Sequence, residues 1–523
     1  MTSTRALIRT LGLGIAASLL LTCSYNPVTG ERELSLISQA EEINIGRQQY
    51  SPSQQSQGGL YTVDPELTAY VNEVGQRVAA FSPRQLPYEF VVLNNSVPNA
   101  WALPGGKIAV NRGLLYEMQS EAELAAVLGH EVVHSAARHG AQSVERGMLM
   151  QGALLVTAVA VTVNDNPYAG AIIGGAQLGS QLISQRYGRD AERESDLYGT
   201  RYMAQAGYDP QGAVDLQQTF VRLSEGRAAG WLEGLFASHP PSQERVDNNR
   251  QLVAQLRAEG FTGGETGAER YRERTANLMA SKPAYDAFDE AHRLIRDDKF
   301  EEAERKVDEA IALLPREARF YGLKGDIALV QRRYNAAIDH YNQALARDDN
   351  YFDYYLGRGM AYSRQGDRAR ARADLQASQN LLPTAIAANE LGSMALADND
   401  RTSAKQYFQM AAAAPGSMGE QAQTAFLRLD VADNPTAYVQ GAVLLDRNGR
   451  LILQVLNRAP MPVTSATFEL QGVINGQLTR QQFTANNLPA GQISEYDTGL
   501  RLPADTNMQA VQAQAIVRSA RVQ

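Results

Sequence analysis

His130-Glu131-Val132-Val133-His134 is the stretch from which the rest of the chain is read. Residues four apart share one face of a helix, so both imidazoles can reach one metal ion. Glu131 sits one residue on and reaches a water at that ion from the side. Zinc lowers the pKa of such a water toward neutrality, and a carboxylate then takes its proton as it attacks a carbonyl. The chain holds 6 histidines in 523 residues, so a chance match to this spacing is rare. Around the pentapeptide, Glu121 to about Gln142 has helical spacing, with Leu124, Val127, Leu128 and Val132 on one side.

Zinc needs a third protein ligand, and the spacing predicts it on a second helix. Arg189-Asp190-Ala191-Glu192-Arg193-Glu194-Ser195-Asp196 offers candidates. Glu192 and Asp196 share a face, so one can bind metal while the other fixes the tautomer of a ligand imidazole. Glu194 points elsewhere and reads as part of a solvated acidic face. Spacing alone leaves Glu192 open between ligand and solvated residue.

The motif, the Glu192 to Asp196 segment, Gly199, Met203 and Ala206-Gly207-Tyr208-Asp209-Pro210 together resemble the gluzincin metallopeptidase family of the CAAX prenyl proteases. The likeness is greatest to its periplasmic, repeat-bearing members. The resemblance implies a mostly helical α+β zincin protease domain with one zinc per chain. His130, His134 and Glu192 become ligands and Glu131 the general base. Asp196 becomes a residue that supports the ligands or donates a proton. Asn99-Ala100-Trp101-Ala102-Leu103-Pro104-Gly105-Gly106 resembles the family's edge strand beside the cleft, where substrate backbone adds by β-augmentation. Gly188 stands where the family usually has Ser, and Ser195 where it usually has Ala. The same resemblance makes His239 a fourth ligand that latches the zinc, with Arg245 lining the cleft. The other reading of His239 is a residue in the turn before Pro240. His139, five after His134, reads as a surface residue or a support for the ligands.

Working outward, residues 23–60 are polar and read as an N-terminal linker or arm, ahead of a protease domain at 61–257. Gly260, Gly263 and Gly264 open an expected linker at 258–283. Residues 284–417 then repeat with a period of 34: Ala303, Ala337 and Ala371 align, as do Ala291, Gly325 and Gly359. Small residues at that period are the mark of an α-solenoid of tetratricopeptide repeats, with three clear copies and a degenerate fourth. Residues 436–523 alternate like strands, with a tight turn at Asn448-Gly449, and predict a C-terminal β-sandwich. The apolar segment from Met148 to Val163, with the Gly/Ala-rich stretch to Ile183, reads as buried or lid-forming helices rather than a membrane hairpin.

Residues 1–22 read as a signal peptide, with Arg5 and Arg9 before an apolar run from Leu11 to Leu21. Leu20-Leu21-Thr22-Cys23 resembles a bacterial lipoprotein processing site, which makes Cys23 the lipidated residue. Ser24 after it favours the outer membrane by the same resemblance. The other reading is ordinary cleavage and a soluble periplasmic protein. Cys23 is the single cysteine, so no internal disulfide is expected. A net charge of −8 and the lack of a basic block speak against nucleic acid as a partner. The resemblance thus implies an envelope endopeptidase acting on misfolded or stalled polypeptides, with repeats that dock substrate or the outer-membrane assembly machinery. The competing expectation is a repeat-based scaffold or chaperone with minor proteolysis.

Overall fold

The computed structural model describes residues 23–153, 176–226, 239–446, 448–474, 477–502 and 512–522. The expected signal peptide lies outside them, as does most of the apolar stretch after Met148. Among the described residues, no helix is long and apolar enough to cross a membrane. The chain divides into two compact units, Met1–Ala387 and Ala388–Gln523.

The first unit opens with a small hairpin, β1 (Cys23–Tyr25) and β2 (Arg32–Leu34). Helix α1 (Gln39–Ser56) follows, where a linker was expected. Ser38 and Glu41 close a capping box at its start. Its polar face is buried rather than solvated: Glu42 pairs with Arg84 and Arg138, and Gln49 accepts from Gly179 N at 3.0 Å. Polar composition therefore misled, because these groups are satisfied by partners far along the chain.

Helix α2 (Pro65–Ala79) leads to a three-stranded sheet of β3 (Glu89–Leu93), β4 (Ala100–Leu103) and β5 (Lys107–Asn111). The order is β3-β5-β4, with β3 parallel and β4 antiparallel to β5, so β4 is an edge. A short α3 (Arg112–Leu115) precedes α4 (Glu121–Ala136), α5 (His139–Ala153), α6 (Ala176–Ile183), α7 (Arg189–Gln205), α8 (Gln211–Gly226) and α9 (Gln243–Ala258). Phe90, Val92, Ile108 and Val110 on the sheet pack with Val71 and Val74 of α2 and Leu124, Leu128 and Val132 of α4. That core fixes α4 against the sheet and leaves the edge of β4 beside it.

The expected linker at 258–283 is irregular only to Gly267. Beyond it stand α10 (Ala268–Arg274) and α11 (Ala276–Arg296), whose Leu278 and Ala284 are buried in the protease core. Helix hairpins continue through α12 (Phe300–Leu313), α13 (Ala318–Val330), α14 (Tyr334–Leu345), α15 (Phe352–Gln365) and α16 (Arg368–Leu381). Ala303, Ala337 and Ala371 are fully buried where paired helices cross. The first repeats pack on the protease domain: Asn94 donates to Glu317 at 2.9 Å, and Arg319 donates to the Gly58 and Asn94 carbonyls.

In the second unit, α17 (Ala385–Ala397) and α18 (Arg401–Ala411) form the degenerate repeat, with Phe408 against Gly392. Helices α19 (Ser417–Asp433) and α20 (Pro435–Tyr438) precede β6 (Val439–Leu445), β7 (Arg450–Asn457), β8 (Val463–Ile474), β9 (Gln477–Leu488), β10 (Ile493–Arg501) and β11 (Gln512–Val522). The strands form one antiparallel sheet, order β10-β7-β6-β11-β8-β9, and not the two sheets of the expected sandwich. Its ends approach one another: Tyr496 Oη on β10 donates to the Asn486 carbonyl on β9 at 2.7 Å. The result is a nearly closed barrel, filled by Leu453, Val455 and Phe468 and by Leu427 and Val431 of α19. Alternation is the same in a sandwich and a barrel, so the strands were legible and their closure was not.

Candidate metal centre

Helix α4 begins at Ser120, whose side chain accepts from Glu123 N, and it stops where Arg138 takes a φ of 64°. It crosses α7 at unusually close range. A Cβ on Gly129 would lie 2.7 Å from the Gly199 carbonyl oxygen, and one on Gly199 would lie 2.7 Å from His130 N. The two glycines thus let the backbones meet, and this brings the α7 carboxylates onto the α4 imidazoles.

His130, His134, Glu192 and His239 converge, with one ligand atom from each within 4.8 Å of the others. His130 Nε2 lies 3.0 Å from His134 Nε2 and 3.3 Å from His239 Nδ1. Glu192 stands 3.6 Å from His130 Nε2, 3.5 Å from His134 Nε2 and 2.9 Å from His239 Nδ1. The His130 side chain is 12% exposed; the other three are more deeply buried. Glu131 is buried beside them, 3.6 Å from His239 Nε2, and its Oε2 makes no hydrogen bond among the described residues.

Four groups hold these residues in place. Asp196 takes the Nδ1 side of His130 at 3.0 Å, so His130 turns the Nε2 lone pair to the centre. Arg245 grips Asp196 with two hydrogen bonds, of 2.8 and 2.7 Å, and reaches Glu192 at 2.9 Å. His139 meets His134, Nδ1 to Nδ1, at 2.9 Å, and Tyr187 stacks on His134 with ring centroids 4.0 Å apart. His139 does not lie on the motif helix at all. The turn at Arg138 starts a new helix and swings it back behind His134.

The electrostatics suit a cation. Burial opposes charge on His130, yet Glu192 and Asp196 outweigh it and lift the imidazole to about 10. Burial drives His134 well below its ordinary value, so it stays a neutral donor. Burial would raise Glu192 too, but His239 and His130 hold it well below the carboxylate range. Burial likewise opposes charge on Asp196, and Arg245 overcomes it. Burial keeps Glu131 above the usual value, against the pull of His239 and His130. Ligands at Zn–N distances of about 2.0–2.1 Å in a tetrahedron lie about 3.3 Å apart. The separations of 2.9 to 3.6 Å lie near that spacing, all four ligand atoms fall within 4.8 Å of one another, and the donor set of imidazole and carboxylate suits a metal ion.

The structure therefore brings together His130, Glu131, His134, Glu192, Asp196, His239 and Arg245, each singled out by sequence. Glu194 sits apart, accepting from Asn26 at 3.1 Å and lying 3.6 Å from His139 Nε2. It is thus partnered, not merely solvated. Tyr187 was missed: one aromatic in a loop before α7 carries no signal of its own.

Fold and centre define a metallopeptidase domain of the His-Glu-x-x-His type joined to tetratricopeptide repeats. Residues 65–253 match Peptidase family M48, and this domain belongs to that family. Residues 288–352 match the tetratricopeptide repeat. Among similar proteins is a putative beta-barrel assembly-enhancing protease of Vibrio cholerae, 33% identical over 37% of this chain and 40% of its own. The beta-barrel assembly-enhancing protease of Escherichia coli is 25% identical over 61% of this chain and 69% of its own. The mitochondrial metalloendopeptidase OMA1 of Schizosaccharomyces pombe is 30% identical over 42% of this chain and 64% of its own. The matches thus span between 40% and 69% of these relatives.

Proposed function

We propose that the chain is a zinc-dependent endopeptidase of the bacterial cell envelope that hydrolyses misfolded or stalled envelope proteins. The observation that carries the chemistry is the buried His130, His134 and Glu192 set with an unpaired Glu131 oxygen beside it. The envelope role is supported by the names of the Vibrio and Escherichia relatives and by the export-like start of the chain.

Zinc, when bound, supplies Lewis-acid polarisation of the scissile carbonyl and a lowered pKa for the attacking water. Glu131 takes the proton from that water, from a buried position beside the ligand imidazoles. Asp196 holds the His130 tautomer, and the two hydrogen bonds it accepts from Arg245 keep it ionised, which favours this positioning role over proton donation. The edge of β4 offers its backbone to an extended substrate. His239 would complete the set of residues that hold the metal and would act as a latch that substrate displaces. A lipid on Cys23 anchors the protein to the outer membrane, and the repeats offer a surface for polypeptide partners.

One experiment tests this reading: casein hydrolysis by the parent, Glu131→Gln and His239→Ala, with the cell fractionation of Cys23→Ala beside them. Glu131→Gln should lose about 10²- to 10⁴-fold in rate, His239→Ala should gain, and Cys23→Ala should leave the membrane fraction. Equal hydrolysis by parent and Glu131→Gln removes the protease reading and leaves a scaffold or chaperone. No gain in His239→Ala removes the latch. Membrane retention of Cys23→Ala removes the anchor.

A further inference from the structure

A cleft opens beside His130 and Glu131, among α4, α7, α8 and α9. Leu114, Val127, Leu216 and Phe220 give it apolar walls. Polar groups also line it: residues of the metal centre, together with Thr200, Asn249, Ser195 and Gln217. Ser195 is fully buried and Gln217 is 3% exposed, and both line the cavity. Among the described residues, Ser195 Oγ and Gln217 Oε1 have no hydrogen-bond partner, like Glu131 Oε2 on the same cavity. Buried polar groups are nearly always paired; Glu131 is accounted for by the metal centre, and the unpaired Ser195 and Gln217 call for a ligand that pairs them. Ser195 is also one of the two departures from the family pattern noted in the sequence.

We propose that this cavity is a specificity pocket for a tyrosine side chain next to the scissile bond, with Ser195 and Gln217 reading its hydroxyl. The inference rests on the proteolytic reading above and names the class of peptide that the same centre cuts. The apolar walls take the aromatic ring. The phenol then donates to Gln217 Oε1 and accepts from the Ser195 hydroxyl, so both orphans are satisfied by one group. Phenylalanine fills the walls and leaves both atoms unpaired. Lysine or arginine brings a charge to a place where Asp196 is already paired with Arg245. A site built to hydrogen-bond a hydroxyl rejects the analogue lacking it far more strongly than an apolar pocket sorts by size.

The test uses the full chain and quenched fluorescent peptides that differ at one residue, tyrosine, phenylalanine or leucine, moved through the positions flanking the scissile bond. At one position the parent should favour tyrosine over phenylalanine by about tenfold or more in kcat/KM. That ratio should fall toward one in the Ser195→Ala, Gln217→Met double variant. Thermal unfolding checks its folding, and Ser195→Ala alone carries the ratio test if the double variant is unfolded. A ratio near one in the parent, or an unchanged ratio in the variant, overturns the pocket. Casein cut by the parent without any tyrosine preference overturns the pocket and leaves the protease standing. Casein left intact by both parent and His239→Ala overturns the two together.

Discussion

The metal centre and the repeat array use the same material, paired helices, and solve burial in opposite ways. Around the metal centre, α4, α7 and α9 bury imidazoles, carboxylates and a guanidinium, and the charges of Glu192, Asp196 and Arg245 depend on one another. In the repeats, the helix crossings are filled by Ala303, Ala337 and Ala371 and by rings such as Tyr341 against Gly325. Errors in the first arrangement leave a buried charge unpaired; errors in the second cost only packing. The contrast explains why a short motif specifies the centre, whereas the array is specified by a period.

The largest effect expected on that contrast comes from Arg245→Ala. It strips the partner from buried Asp196 and should cost about 3–5 kcal/mol in urea unfolding. A loss below about 1 kcal/mol would show that the centre is no more fragile than the repeats. Next is pH. Burial lifts Glu123, on the motif helix, to about 7. Its folded pKa exceeds its unfolded one, so the stability it lends is complete below about 4.5 and falls as pH rises through 7, by about 3 kcal/mol in all. Glu123→Gln should flatten that loss in unfolding measured from pH 4.5 to 8. The smallest effect belongs to the array. A Cβ at Gly325 would sit 2.6 Å from Tyr341 Cε1, so Gly325→Ala should cost about 1–2 kcal/mol after its helix gain. Its bound zinc should stay unchanged. Loss of metal in that variant would mean the two regions are not separable in this way.

Sequence legibility follows the same division. His130, Glu131 and His134 are readable because their chemistry and spacing coincide. Glu192 needed the family pattern, since spacing alone did not make it a ligand. His139 was placed by assuming one continuous helix; the break falls at Arg138, a residue type with no preference for positive φ. Helix α1 was read as linker from its polar residues, although Ser38-Gln39-Ala40-Glu41 carries the capping-box signal. Its buried Glu42 depends on Arg84 and Arg138, contacts that local sequence does not disclose. The barrel's strands followed from alternation, but the closing Tyr496 to Asn486 bond joins residues on strands at opposite ends of the sheet order.

Zinc counted per chain after equilibrium dialysis against limiting zinc, in the parent and in His134→Ala, tests the metal centre most directly. One zinc in the parent and none in the variant is the predicted result. Equal zinc in both, or none in the parent, would contradict it.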